Sequence, residues 1–598
     1  MKDSEVHHQC LVAIRDENYV LALSIIEAEL MLDNNNFFSL YLKGIILACI
    51  GRYSESINFF SLAITLKPDF FNGFFNRGIS FGAIGENERA IADLDTALSM
   101  RPKSVRILLA KGNFLARLGR FSEAEAVYKH ALMQKRDYRN IESSDLLVNL
   151  AVVLQRLGKH SESLENFSEA LLYDPRHRRA LLNRSNLLIE LNQYQQAEDD
   201  LRAVITDHPR YAEAQNSMGY LYYKRRQLYL AAQHYELALS ITPSFPEALA
   251  NLGIVYRELG LFDKAMYCFN RAIDIRCDFW EAYWNKGLLH LLLGDFPIGW
   301  RLYETRKTLR LATTVAKQSK NSLSGPLNGK TVLIKSEQGY GDVIQFCRLL
   351  KIFDNSQIKC YFEVPEGLVG LVASLDSQIN VVPAGSMLPI CDLEEDLLSL
   401  PLFFGLTREN IPRYAAYLFA DKQLVLRWKK RIGSDIDSLK IGFVWSGNKS
   451  HDDDVKRSIG LVLLSQVLEL PVEWHSLQKE YRDGDCELFL QHARCFDHSN
   501  ELINFSETAA LIECMDLVIS VDTAIAHLAG ALGKRVWILL PHVPDFRWML
   551  DRNDSPWYPS AELLRQTQID DWSGVITQVE LKLLQMIHDC EKPNSGSS

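Results

Sequence analysis

No apolar run in the sequence approaches the roughly 18 residues that a membrane-spanning helix needs. The opening stretch, MKDSEVHHQCLVAIRDENY, has acids and polar groups where a secretory leader has a basic start and an apolar stretch, so the expected location is the cytoplasm. The 11 cysteines are scattered from Cys10 to Cys590, odd in number and without a CxxC pair. This excludes a disulfide framework and a structural zinc site from the expected architecture, and no metal is expected. A basic excess is lacking too: 65 Lys plus Arg stand against 75 Asp plus Glu, a net charge of −10. That excludes a general grip on nucleic-acid phosphate. Nor is there a compositional extreme, since 47% hydrophobic and 23% charged residues exclude a mainly disordered or collagenous chain. Any anion the chain holds must be held locally, by helix starts and a few basic side chains.

What the sequence has instead is a period. Gly44, Gly78 and Gly112 are 34 residues apart, as are Gly219, Gly253 and Gly287, and Ala63, Ala97 and Ala131 keep the same step. Pro68 and Pro102 follow it, then Pro175, Pro209 and Pro243, after one insertion around 136–143. Units start at 37, 71, 105, 144, 178, 212, 246 and 280, with a degenerate copy over 3–36. Each reads as two amphipathic helices with a small residue at their close approach and a Pro that ends the unit. One pair cannot bury its apolar face alone, so neighbours must stack into a solenoid. Period and pattern resemble the tetratricopeptide repeat over residues 3–309. The sixth position of the unit, on the first helix, holds Asn76, Asn149, Asn183, Asn251 and Asn285, with Ser217 in one other copy. Each amide offers a donor and an acceptor to an extended peptide backbone. This set resembles the asparagine ladder of protein O-GlcNAc transferases; the alternative is that Asn merely stabilises the repeat.

The pattern changes at 310. Residues 310–328, rich in Ser, Thr, Gly and Asn, read as a linker. Then TVLIKSE, KCYFEVP and INVVPAG read as strands, with helices between them. A second alternating series begins near 439 with KIGFVWSGN, VEWHSLQ, DLVISVD and RVWILLP as strands. Two parallel sheets in tandem, over 329–432 and 433–590, predict two α/β lobes with a cleft and a helical stretch near 413–432 between them, and residues 591–598 read as a disordered tail. In such sheets ligands bind beyond the carboxyl ends of strands.

Four segments carry candidate chemistry. In DLVISVDTAIAHLAGALG a strand ends at Asp522 and a helix begins at Thr523 and Ala524, either an anion site with His527 one turn on or a helix start with Asp522 as a plain N-cap. In SEQGYGDVIQF two glycines turn a strand into a helix with Asp342 at its start, a carboxylate base or a plain N-cap. In KIGFVWSGNKSHDDDVKRSIG, Gly447 and Asn448 form a strand-end turn, and Lys456 or Arg457 can pair with a diphosphate. The acidic run Asp452–Asp454 is the solvated loop such runs ordinarily form. In EWHSLQKEYRD, His475, Gln478 and Lys479 follow a strand end where a base or ribose could sit.

Together the runs EQGYGDVIQFCR, IGFVWSGN, RSIGL, WHSLQK, ISVDTAIAHLAGALGKRVWILLP and DFRWMLDRNDSPWYP resemble the ADP-heptose:lipopolysaccharide heptosyltransferase-like glycosyltransferases, family 9, fused to tetratricopeptide repeats. The resemblance implies an all-α repeat superhelix followed by an α/β GT-B fold of two Rossmann-like lobes. It implies a nucleotide-diphosphate sugar as donor substrate, no further cofactor, Asp342 as catalytic base and Arg457 on the donor phosphate. Asp522, Thr523, Ala524 and His527 are implied to cradle the diphosphate. The short first lobe beside a long repeat array implies that the repeats recognise a protein or peptide acceptor. The expected reaction is metal-independent, inverting sugar transfer to that protein, with a homodimer left open. Two other readings remain: a non-catalytic scaffold with a degenerate transferase domain, and a glycolipid or polysaccharide transferase.

Overall fold

The computed structural model describes residues 2–134, 141–313, 327–337, 339–355, 358–375, 378–433, 438–451 and 453–591. Most of the insertion near 136–143, most of the linker over 310–328, Asp452 and the tail after 591 lie outside the described residues.

First helices begin at Phe37, Phe71, Val105, Arg178, Ala212, Pro246 and Trp280, and the helix of the shifted copy runs Ile141–Arg156. The reason for the periodic glycine is visible at once. Gly44, Gly112, Gly219 and Gly253 lie against the rings of Phe60, Tyr128, Tyr235 and Phe269, sixteen residues on, and an added Cβ would come within 2.3–2.8 Å of them. Glycine on the first helix therefore admits a large aromatic from the second, and the pair closes at interior packing density. The turn between the two helices needs one left-handed residue. Gly85 supplies it with φ +86°, and Asn192 and Arg226 adopt it at 60° and 61° in pairs where glycine is missing.

The chain divides into two compact units, Met1–Thr242 and Pro243–Ser598. The second unit takes the last two helix pairs together with the α/β part, although the sequence changes character only at 310. Its cause is packing within that unit. Phe296, Trp300 and Tyr303, all on the helix Phe296–Tyr303, are at most 2% exposed. Trp300 meets Phe346 and Phe546 edge-on at 5.9 and 5.7 Å, and Phe296 stacks on Trp557 at 6.4 Å. Each such buried aromatic contributes on the order of 2–3 kcal/mol, so the last repeat is part of the α/β core.

The α/β part has two all-parallel sheets. The first lobe has β1 (Thr331–Lys335), β2 (Lys359–Val364), β3 (Ile379–Pro383) and β4 (Leu393–Asp396), in the order β3-β2-β1-β4. The second has β5 (Lys440–Val444), β6 (Glu473–Ser476), β7 (Cys495–Phe496), β8 (Leu517–Val521), β9 (Val536–Leu540) and β10 (Ala561–Arg565), in the order β10-β9-β8-β5-β6-β7. This is the doubly wound 3-2-1-4-5-6 order, and the first lobe is its first four strands. Strand order therefore reverses beside β1 and β4 in the first lobe and beside β5 and β8 in the second.

β4 is a strand that sequence reading passes over, because LEED is acidic. Its charge is matched from outside: Lys335 reaches Glu394 at 2.7 Å, Lys307 reaches Glu395 at 2.7 Å, and Arg310 reaches Asp396 at 2.8 Å. The helical stretch expected over 413–432 shrinks to Lys422–Ile432, capped by Asp421. The predicted helices VIQFCRLLKIF and SIGLVLLSQVLEL each form in part as 3-10 turns.

Candidate active site

The second lobe's switch point is bridged by one side chain. Arg457 Nη1 donates to the backbone oxygen of Asp522 at 2.9 Å, joining the turn after β5 to the end of β8. Gly447 in that turn leaves room for it, since a Cβ there would stand 2.6 Å from Arg457 Nη2. Arg457 Nε is buried with no hydrogen-bond partner among the described residues. Lys456 instead pairs with Asp453 at 2.9 Å. Burial pushes that carboxyl up, but Lys456 wins and holds it down to about 2. The cation at the crevice is thus Arg457.

Thr523 caps the helix Ala524–Ala531, its Oγ1 accepting from Ile525 N at 3.3 Å and lying 3.0 Å from Ser520 Oγ. The N-cap is thus Thr523 rather than Asp522, and the cap takes up the Ile525 N–H rather than that of Ala524. His527 is buried, its ring stacked on Trp548 at 5.1 Å and its Nδ1 2.9 Å from Tyr558 Oη. Burial drives it well below the ordinary histidine range, with Arg547, Arg348 and Arg457 adding to the effect, so it is neutral at pH 7. Asp522 is pushed the other way, to about 6, by burial and by Asp545, against the pull of Arg457.

From the first lobe, Gly339 caps the helix Tyr340–Phe346, which carries Asp342 in its first turn. A Cβ on Gly341 would stand 3.0 Å from His527 Cδ2 and 3.6 Å from Ala524 Cα. The two motifs read separately in the sequence, some 180 residues apart, thus meet helix start to helix start. Arg547 joins them. It forms an ion pair with Asp342, another with Asp545 at 2.8 Å, and donates through Nε to Gln345 Oε1 at 2.8 Å. Burial raises the Asp342 pKa and the Arg547 guanidinium opposes that rise.

The other candidates are placed as follows. Gln478 spends its whole amide inside the protein: Oε1 accepts from Trp445 N and Ser446 N at 3.0 Å each, and Nε2 donates to Ser446 Oγ and Glu480 O at 2.8 Å each. Its side chain holds the turn after β5 and has no capacity left for a nucleotide. His475 lies within β6 rather than after it, is 2% exposed and pairs with His498 at 3.0 Å. Lys479 is exposed and donates to Ser499 O at 2.8 Å, and Asn448 is exposed and accepts from Ser450. On the repeats, Asn76, Asn149, Asn183, Asn251 and Asn285 are all half-buried on first helices. Asn76 donates to Tyr41 Oη at 2.8 Å, Asn149 donates to Asn113 Oδ1 at 3.2 Å, and Asn285 donates to Glu281 O at 2.9 Å. Asn149 Oδ1 also accepts from Arg179 at 3.0 Å and Asn285 Oδ1 from Arg257 at 3.4 Å, so those two amides keep only part of their capacity for a ligand.

Sequence reading assigned no role to Asp545, Arg547, Trp548 or Tyr558. A signal was there: DFRWM follows the end of β9, and ligand-facing residues in this topology follow strand ends.

Comparison with known proteins agrees with this architecture. The tetratricopeptide repeat pattern matches residues 75–139, 182–244 and 246–276. The pattern of glycosyltransferase family 9 (heptosyltransferase) matches residues 502–548, which contain Asp522, Thr523, His527 and Arg547. The chain thus carries segments similar to tetratricopeptide repeats and, over 502–548, a segment similar to family 9 glycosyltransferases. Protein FlbA of Caulobacter vibrioides is 25% identical over 319 residues, 48% of this chain and 52% of FlbA. The human protein O-mannosyl-transferase TMTC3 is 29% identical over 133 residues, 21% of this chain and 14% of TMTC3. The chain therefore spans about half of the first relative and a small part of the second. A tetratricopeptide repeat protein from Parabacteroides merdae aligns with 41% of this chain and 99% of its own at 19% identity and a TM-score of 0.35. Among the described residues no helix is long and apolar enough to cross a membrane.

Proposed function

We propose that the protein transfers a sugar from a nucleotide-diphosphate sugar to a protein acceptor held by the repeats. The observation that carries this reading is the meeting of Asp342 and Gly341 with Ala524 and His527, which sets a carboxylate beside an anion-binding helix start. In the proposed reaction Asp342 takes the proton from the acceptor nucleophile. That nucleophile attacks the anomeric carbon from the face opposite the diphosphate, the bond from the anomeric carbon to the diphosphate oxygen breaks, and configuration inverts. The charge left on the diphosphate is met by the N–H group of Ala524 at the helix start and by Arg457, whose Nε has no hydrogen-bond partner among the described residues and lies 3.7 Å from Asp454 Oδ1. Neutral His527 adds no second positive charge and can donate or accept one hydrogen bond.

A protein acceptor is favoured by the half-buried Asn76, Asn149 and Asn285 on first helices, each with part of its capacity left for a peptide backbone. It also agrees with the name of the human relative, a protein O-mannosyl-transferase. The test is donor hydrolysis by the full chain with UDP-, GDP- and ADP-sugars in the presence of EDTA, comparing wild type with Asp342→Asn. The expected result is turnover that survives EDTA and falls about 10²–10⁴-fold in the variant. Equal turnover by Asp342→Asn refutes the base assignment, and loss with EDTA refutes metal independence.

A further inference from the structure

The crevice at the first lobe's switch point, beyond the ends of β1 and β4, is filled by the chain's own helix Thr305–Thr313, which follows the last repeat. Arg306, in the first turn of that helix, has a side chain only 6% exposed and faces Glu337, which is 3% exposed. Arg306 Nε and Nη2 both donate to Glu337 Oε1, at 3.0 and 2.6 Å. Nη2 also donates to Ser399 Oγ, just past β4, at 2.8 Å, and Nη1 reaches Glu304 at 2.5 Å. Arg310 takes the other oxygen of Glu337 at 3.2 Å. The guanidinium lies over Tyr303, 5.1 Å from the ring centre, and Tyr303 is itself buried beneath Phe546.

Glu337 sits in the segment that leads from β1 to Asp342, five residues on. Among the described residues, other anchors are the Arg547–Asp342 ion pair, the Tyr340 ring against Phe505 and two backbone bonds. Ser336 N donates to Glu363 O at 3.0 Å before it, and Asp342 N turns back on Gly339 O at 3.1 Å after it. With two glycines, Gly339 and Gly341, the backbone between them has wide conformational freedom of its own. Arg547 holds the Asp342 end of this turn from the second lobe, and Glu337 ties its β1 end from the repeat side of the crevice.

We infer that Arg306 is a positioning residue of the transferase site, which fixes the β1–Asp342 turn through Glu337 and so holds the base at the second lobe's helix start. This rests on the reading of Asp342 as the base, and it adds a structural dependence: the end of the repeat array, rather than the first lobe alone, sets the base. It also means that no acceptor enters the β1/β4 crevice, because the protein's own cations occupy it.

The experiment uses full-length Arg306→Lys, with Glu337→Gln as a second variant should the first fold poorly. Lysine keeps the charge and loses the fork that grips Glu337 and Ser399 together. Amide hydrogen exchange is read over 336–346 and over 523–531, and hydrolysis of UDP-, GDP- and ADP-sugars gives kcat and KM. The expected result is faster exchange confined to 336–346, with donor KM held within about twofold and kcat reduced by up to about 10²-fold, as for a misplaced catalytic group. A lowered Tm with unchanged exchange over 336–346 overturns the inference, since Arg306 is then only a rivet. So does a kcat equal to wild type in a variant that exchanges faster. If wild type itself turns over none of the sugars, the reading of the site as a transferase fails. The exchange arm still decides the positioning: protection lost only over 336–346 upholds it, and protection kept there overturns it.

Discussion

Replacing Arg547 by Gln tests the electrostatics of the joined site. The Arg547 side chain is 11% exposed and faces two carboxylates, Asp342 at 17% and Asp545 at 34%. Removing one partner of a buried ion pair costs about 3–5 kcal/mol, because the charge left behind is neither paired nor hydrated. Asp545 recovers part of its hydration, which places the expected loss near the lower end, roughly 3 kcal/mol at pH 7. For a unit of this size that is a fall in Tm of about 4 °C. The sign with pH is fixed. Without the guanidinium, the Asp342 pKa that burial already raises rises further in the native state, while its unfolded value stays put. The native variant then binds protons that the unfolded chain does not, so its stability gains on wild type as pH falls from 7 toward 5. Urea unfolding of both proteins at pH 7.5, 6.0 and 5.0 reads this directly. A deficit that is constant across those pH values refutes the argument, because a loss from packing alone does not titrate. No deficit at pH 7.5 refutes it as well.

Two further outcomes follow from the packing. Burial holds His475 neutral, with its pKa driven down to about 3 and His498 and Lys440 adding to the effect. The unfolded chain takes a proton there below about 6.5, so stability drains from wild type as pH falls through 6.5 toward 3. His475→Phe, stacked on Phe496, is expected to remove about 2 kcal/mol of that loss between pH 7.5 and 5.0, and an unchanged slope of stability against pH contradicts the assignment. In the repeats, Gly219→Val sets a Cβ 2.8 Å from the Tyr235 ring and is expected to cost about 1–3 kcal/mol by overpacking. Adding Tyr235→Ala gives less than the sum of the two single losses in thermal unfolding, and strict additivity shows that the two positions do not share a contact.

The difference between what was legible in the sequence and what was not follows the range of the interactions. The 34-residue period is a local signal repeated many times, so Gly219 and its equivalents mark a close approach before any partner is known; Tyr235 becomes its partner only once the pair is folded. Strands of Val, Ile and Leu such as β8 and β9 were equally plain, because both faces are buried and their hydrophobicity is continuous. β4 was not, because its four residues include three acids whose counter-charges come from Lys307, Arg310 and Lys335. No window on LEED contains that information. The same holds at the site. Asp342, Thr523 and Arg457 sit at strand-to-helix turns, where local backbone geometry predicts a polar role. Arg547 gains its meaning from Asp342, 205 residues away, and Arg306 from Glu337 across the crevice. Gln478 shows the converse: a polar residue after a strand end looked available, and the fold used all four of its hydrogen-bonding positions on the turn beside it. Residues at turns announce themselves as candidates, then, but a buried charge declares its function only through its partner. In this protein both decisive partners reach the Asp342 turn from elsewhere: Arg547 from the second lobe and Arg306 from the end of the repeats.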